Sequence, residues 1–319
     1  MRTPGPTTPA TPVRPSRPRA ARSRRVSRVD VVLLLVAVVW GSSYLAAQRS
    51  VEGVGVAATL ALRSGGAALV LGLVVLARRR AVRRRDVALG LVFGATQTAV
   101  LGLETQGVAT TSATSAGLLI STTVLFTPLV EGLFTRRLLP PSFFAAGIVV
   151  LAGVGLLVGR EGPAAPAVGD LLVLAAAVVR AVHVTLLGRA TRGRDVDLVV
   201  LSAVQAGVGA VVVTLLAPGA VLAGVASAGA EQWLLLAHLA VGCTAFAFLA
   251  QSWALRRASA ARTSLLLGTE PLWAVLFGLV VAGDQLGWVG AAGAALVVAG
   301  AGWGQRVEQR FEHGPGWKT

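Results

Sequence analysis

Two side chains of opposite charge, Arg180 and Glu270, each stand inside a long apolar stretch of this 319-residue chain. An ionisable group at the centre of a bilayer costs about 2.5–3.5 kcal/mol to insert, so such groups are rare and usually have a task. Glu270 is suited to carrying a proton or to holding a substrate amine. A fixed ion pair with Arg180, or a bond to backbone freed by the adjacent Pro271, would be a purely structural use. Arg180 can form that pair or grip a substrate carboxylate through two parallel hydrogen bonds. His183, three residues further on and on the same helical face, can relay a proton, donate to a substrate or make an interhelical hydrogen bond.

A second set of polar residues accompanies these three. Arg63 and Glu104 lie toward the same ends of their apolar stretches, where they can form a pair or an outer gate, or simply snorkel to the interface. Gln251 falls where Glu104 falls in an earlier copy of the same pattern, described below. Trp40 and Tyr44 sit one helical turn apart and are expected on a cavity wall, with interface or core packing as the alternative. Trp253 and Trp273 are weaker candidates, and His238 and Glu131 read as structural. Enzyme and pump signatures are missing: the sequence holds no His-Glu-x-x-His, no Gly-x-Ser-x-Gly elbow and no Gly-x4-Gly-Lys-Ser/Thr loop. Cys243 is alone, so disulfides and thiolate metal sites are not expected, and no cofactor is implied.

These residues must be positioned by membrane helices. Hydrophobic residues make up 55% of the chain, charged residues only 13%, and the mean hydropathy is +0.73. A hydrocarbon core of about 30 Å takes roughly 20 apolar residues per helix. Ten such stretches are present, near residues 30–49, 55–77, 87–107, 112–134, 143–160, 170–189, 197–217, 232–254, 260–282 and 286–304. The formal charge of +15 would suggest nucleic acid, but the arginines cluster in every second connection and at both ends. The alternate connections hold mainly Glu52, Glu161, Asp170, Glu231 and Asp284. That alternation is a topology signal, and it places both termini and the basic loops in the cytoplasm of a multi-pass inner-membrane protein. No nucleic-acid partner is expected. Residues 1–29, rich in Pro and Arg, read as a disordered cytoplasmic tail, and residues 306–319 as a second tail. Ser23-Arg24-Arg25 resembles part of a twin-arginine signal, but the reading here is a tail followed by an uncleaved first helix.

The ten stretches form two copies of five, residues 30–160 and 169–305. Gly107-Val-Ala-Thr-Thr-Ser-Ala113, Ala146 and Gly153 recur about 147 residues later as Ala254-Leu-Arg-Arg-Ala-Ser-Ala260, Gly293 and Gly300, while Pro128 answers Pro271 at a slightly shorter offset. Because five is odd, the second copy must cross the bilayer in the opposite sense to the first. The expected fold is all-α: ten transmembrane helices as two inverted five-helix repeats, with the substrate site between them. Gly90 and Gly94, Gly155 and Gly159, and Gly300 and Gly304 have the spacing of close helix contacts, within the chain or between two copies of it.

Trp40-Gly41-Ser42-Ser43-Tyr44, Leu62-Arg63, Thr111-Ser112-Ala113 with Pro128, Gly169-Asp170, Ala254-Leu255-Arg256 before Ser259-Ala260, and Glu270-Pro271 before Gly283-Asp284 follow one another in a distinctive order. In this order they resemble the drug/metabolite transporter superfamily in its ten-helix form with two EamA-type repeats, over about residues 30–305. The resemblance implies movement of small metabolites, often amino acids, across the inner membrane. Arg180 departs from it, standing where many members carry an aromatic residue. A membrane-embedded enzyme and a non-transporting sensor are the competing readings. A sensor would tolerate apolar replacements at Glu270, and a proton-coupled transporter would not.

Overall fold

The computed structural model describes residues 27–110, 119–158, 168–277, 280 and 287–312. The sequence landmarks Thr111-Ser112-Ala113, Gly159, Gly162-Pro163 and Gly283-Asp284, most of the first tail and the last seven residues lie outside them. All regular structure among the described residues is helical. The first helix starts at Ser27, whose hydroxyl accepts from the Val29 N–H while Asp30 accepts from the Ser27 N–H, a reciprocal cap that satisfies two otherwise orphaned donors.

This helix, Arg28–Ala77, contains the first two spans. As a single rod of 50 residues it would reach about 75 Å, more than twice the hydrocarbon thickness. It reverses instead at Gly55, whose φ of 80° and ψ of 165° suit a residue without a Cβ. The reversal is visible in the partners on either side of it. Trp40 Nε1 donates to the Cys243 carbonyl at 2.8 Å and Arg63 Nε to Thr244 Oγ1 at 3.2 Å, so both arms meet the same level of one distant helix. The connection expected from the sequence between these spans is therefore reduced to little more than one glycine.

The remaining spans follow in order as Arg84–Val108, Leu119–Thr135, Pro141–Val158, Val168–Thr191, Leu198–Leu216 and Ala230–Leu255, then Ala260–Leu267 continued by Glu270–Phe277, and finally Trp288–Glu312. Two features were not expected. A short helix, Pro218–Ser227, lies between the seventh and eighth spans. Gly224 presses it onto the Val54 carbonyl and Ala58, so that it covers the Gly55 reversal. The eighth span also passes through a π-helical stretch, Leu239–Phe246, a geometry that recurs at functional sites. Trp40 and Arg63 both bind to that stretch.

The fifth and tenth spans pack directly on each other, and their contact is reciprocal. A Cβ at Gly153 would stand 2.7 Å from the Gly293 carbonyl and 2.8 Å from the Val297 amide; one at Gly300 would stand 3.0 Å from both the Ala146 carbonyl and the Val150 amide. Gly293, Val297 and Gly300 are the repeat partners of Ala146, Val150 and Gly153. Each copy thus makes to the other the contact that the other makes to it, the mark of a two-fold axis. A later residue of one helix meets an earlier residue of its partner, so the two helices run antiparallel. The protein is a multi-pass membrane protein of two inverted repeats. Gly90 and Gly94 seat Val204 and Val208 of the seventh span, Gly304 seats Leu265, and Gly155 faces open space.

Candidate functional site

Arg180 occupies the middle of the sixth span and reaches three other helices. Its Nη2 lies 2.7 Å from Glu104 Oε2 on the third span, its Nη1 3.9 Å from Glu270 Oε2 on the ninth, and its guanidinium 5.4 Å from the centre of the Trp40 ring on the first. One cation is shared between two carboxylates and an aromatic face. The side chains of Arg180, Glu104 and Glu270 are 14%, 16% and 7% exposed, a setting in which Coulomb forces are far less screened than in water.

The ninth span explains how Glu270 comes to point here. Pro271 cannot donate a backbone hydrogen bond, and the helix breaks into Ala260–Leu267 and Glu270–Phe277. Glu270 is thus the first residue of a half-helix, where the positive end of the helix dipole favours a carboxylate. Broken helices whose ends face a site at mid-depth are a recurring device of secondary transporters.

Two spaces flank the Arg180–Glu104 pair. The larger, about 220 Å³, is lined by Ser43, Gln48, Glu52, Arg63, Glu104 and Thr105 and lies toward the end of the bundle away from the arginine clusters. That volume is below the roughly 300 Å³ at which drug-sized pockets begin and suits a small metabolite. The smaller, about 20 Å³, lies between Arg180, Gln251, Glu270, Thr263 and Ser264 and has room for about one water. Glu104 and Gln251, equivalent in the two repeats, therefore line the two spaces, one on each side of Arg180.

The sequence candidates separate into those at this centre and those beside it. Arg180, Glu270, Glu104, Trp40, Gln251 and Arg63 converge. Arg63 does not pair directly with Glu104 as the sequence suggested: Glu104 turns to Arg180 and Arg63 to Thr244, although both line the larger cavity. His183 is fully buried one turn away and its ring is engaged on both sides. Thr96 Oγ1, which donates to the Phe93 carbonyl, lies 2.7 Å from Nδ1, while Gln205 Nε2 lies 3.4 Å from Nε2 and the Phe93 ring stands edge-on. Both ring nitrogens are therefore engaged by side chains of neighbouring helices, as a fixed interhelical contact requires. Tyr44 is on the first span, but its side chain lies outside the described residues. Trp253 stacks under Arg257 at the arginine-rich end, and Trp273 packs against the apolar core. His238, read as structural, bonds Ser42 Oγ at 2.9 Å.

Sequence reasoning missed the closure of the opposite end. The start of the ninth span and the two residues before it are held by three other helices and by the turn after the sixth. Arg262 binds Asp30 of the first span in a fork, with distances of 2.7 and 2.9 Å from Nη2 and 3.1 Å from Nε. Glu131 of the fourth accepts from the Ala260 and Ala261 N–H groups at 3.2 and 2.8 Å. Ser259 meets Glu308 of the tenth, and Arg192, just past the end of the sixth, donates to the Ala258 carbonyl. Glu131 is thus a helix-end anchor between the repeats, and its only sequence signal is a carboxylate near a span terminus.

Comparison with known proteins agrees with this architecture. The profile of the EamA-like transporter family matches residues 27–159 and, a second time, 167–303. No curated protein matches significantly. Among 29 solved chains that do match, one described simply as the crystal structure of a protein superposes with a TM-score of 0.70 at 21% identity, over 88% of this chain and 98% of that one. At that identity the likeness speaks for the fold alone.

Proposed function

The chain belongs to the EamA-like transporter family, and we propose that it exports small zwitterionic metabolites, amino acids or close relatives, in exchange for protons. The observation that carries this reading is the sharing of Arg180 between Glu104 and Glu270 beside a cavity of small-metabolite size. A substrate carboxylate can replace Glu104 in the fork of Arg180, and its ammonium group then has the released Glu104 to bind. Glu270 holds the same cation from the other side, and in its ionised form it too can take the substrate ammonium. That contact and a proton on Glu270 exclude each other, so substrate and proton compete for one carboxylate, as exchange requires.

The alternation of basic connections supports cytoplasmic termini, with the arginine-rich end inside the cell. On that reading the closed end faces the cytoplasm and the 220 Å³ cavity faces outward, where protons enter. Transport then proceeds by rocking one repeat against the other, so that the latches around Ser259 open as the outer cavity closes.

The test is flux in proteoliposomes, with amino acids as the first substrates. An imposed pH gradient should accelerate uptake or release by the native chain, and Glu270→Gln should abolish that acceleration. Flux indifferent to the gradient, with Glu270→Gln behaving as wild type, would remove proton coupling. A screen of amino acids and related compounds that yields no flux at all would remove the substrate class.

A further inference from the structure

A cavity of about 650 Å³ is an open groove at the arginine-rich end. Its apolar wall is formed by Val32 of the first span, Leu198 of the seventh, and Phe246, Leu249 and Trp253 of the eighth. Along the eighth span, Phe246 and Arg256 are about 15 Å apart, which is half of a hydrocarbon core of about 30 Å. An arginine rim at headgroup level therefore leaves the apolar wall spanning one leaflet. Phe246 and, beside Val32, Val31 and Leu35 are exposed, so the groove opens onto apolar surface that a bilayer would cover.

The rim carries Arg80, Arg83 and Arg256 together with Asp195 and Asp197. Arg80 is bonded to Asp197 at 2.7 Å, and Arg83 to Asp195. Burial alone would raise the Asp197 carboxyl, but the bonds from Arg80 and from the Val199 and Val200 N–H groups outweigh it and hold it below its usual value. Arg256 differs from its neighbours. It donates to two backbone carbonyls, Val196 at 3.1 Å and Arg194 at 3.0 Å, which fix the guanidinium, while its charge acts at longer range on Asp195, the carboxylate bonded to Arg83. Arg257 lies 4.3 Å over the Trp253 ring, and Arg78, Arg79, Arg84 and Arg85 flank the rim in sequence. A positive rim above an apolar slot one leaflet deep is complementary to a lipid with an anionic headgroup.

We propose that this groove binds an anionic phospholipid of the adjoining leaflet, with its phosphate between Arg83 and Arg256 and one acyl chain along the Phe246–Trp253 wall. The lipid then bridges the connection after the second span to the connection before the seventh, adding a tie at the closed end of the bundle.

The experiment uses the full chain in mild detergent and phosphatidylglycerol with brominated acyl chains, which quench nearby tryptophan. A saturable part of the quenching should belong to Trp253 and vanish in Trp253→Phe. Arg83→Gln, an exposed change that leaves the core untouched, should weaken the apparent affinity about fivefold, and Arg83→Gln/Arg256→Gln more than tenfold. Brominated phosphatidylcholine should quench Trp253 only at much higher concentration, and glycerol phosphate without chains should not compete. Equal affinity for the two lipids, effective competition by glycerol phosphate, or unchanged affinity in Arg83→Gln would each overturn the proposal; the second of these would point to a soluble anion instead.

Discussion

Arg180 is the residue on which the proposed chemistry turns, because its guanidinium has a planar fork and faces two carboxylates at different distances. A lysine at this position keeps the charge but not the fork, and is not equivalent for bidentate work. Arg180→Lys is expected to raise the KM for a carboxylate substrate about tenfold or more, the worth of one charge-assisted hydrogen bond, while the protein melts near its normal temperature. Arg180→Gln removes the cation and leaves two buried carboxylates facing each other, so it should also lower the melting temperature. Transport kinetics and thermal melts of the two variants separate substrate binding from a structural ion pair; equal KM values for Arg180→Lys and wild type would argue for the latter. The sequence marked Arg180 and Glu270 as a pair because both are mid-span charges. It could not rank Glu104 as the nearer partner, since that depends on how the third and sixth spans cross.

At the scale of elements, the contact between the fifth and tenth spans depends on the absence of side chains at Gly153 and Gly300. A Cβ at Gly153 would fall against backbone that cannot swing away, and overpacking of this kind costs about 1–3 kcal/mol. Gly153→Val should therefore lower the detergent melting temperature clearly. Gly155→Val, two residues along on the face with nothing within 4 Å, should leave it almost unchanged; equal effects at the two positions would contradict the packing described. Both glycines were legible as repeat landmarks, and the spans as apolar runs, because each signal is local to a few residues. The reversal at Gly55 without a loop, the Pro218–Ser227 helix and the π stretch of the eighth span were not legible. Each is fixed by partners far away in the chain: Gly224 against Val54, or Trp40 against Cys243.

Across the whole molecule, the two ends of the bundle are in opposite states although the repeats that build them are related by symmetry. One end holds the cavity beside Glu104. At the other, helices of both repeats converge on the Ala254–Ala260 segment and the residues just after it. In the transport cycle proposed above the two ends exchange states, and the latches set how often they do. Asp30 is the latch most easily weakened, since Asn retains an acceptor for the Ser27 cap but loses the charge that Arg262 grips from Nε and Nη2. Thr263 lies immediately behind that latch, buried, and lines the small space next to Arg180. With Cys243→Ser removing the native thiol, a cysteine introduced by Thr263→Cys should react slowly with a water-soluble maleimide. Adding Asp30→Asn should speed the reaction roughly tenfold, in line with the loss of one charged hydrogen-bonded contact, with little change in melting temperature. If labelling of Thr263→Cys does not respond to Asp30→Asn, the fork to Arg262 does not hold this end closed, and the anchoring falls to Glu131 and its two backbone bonds.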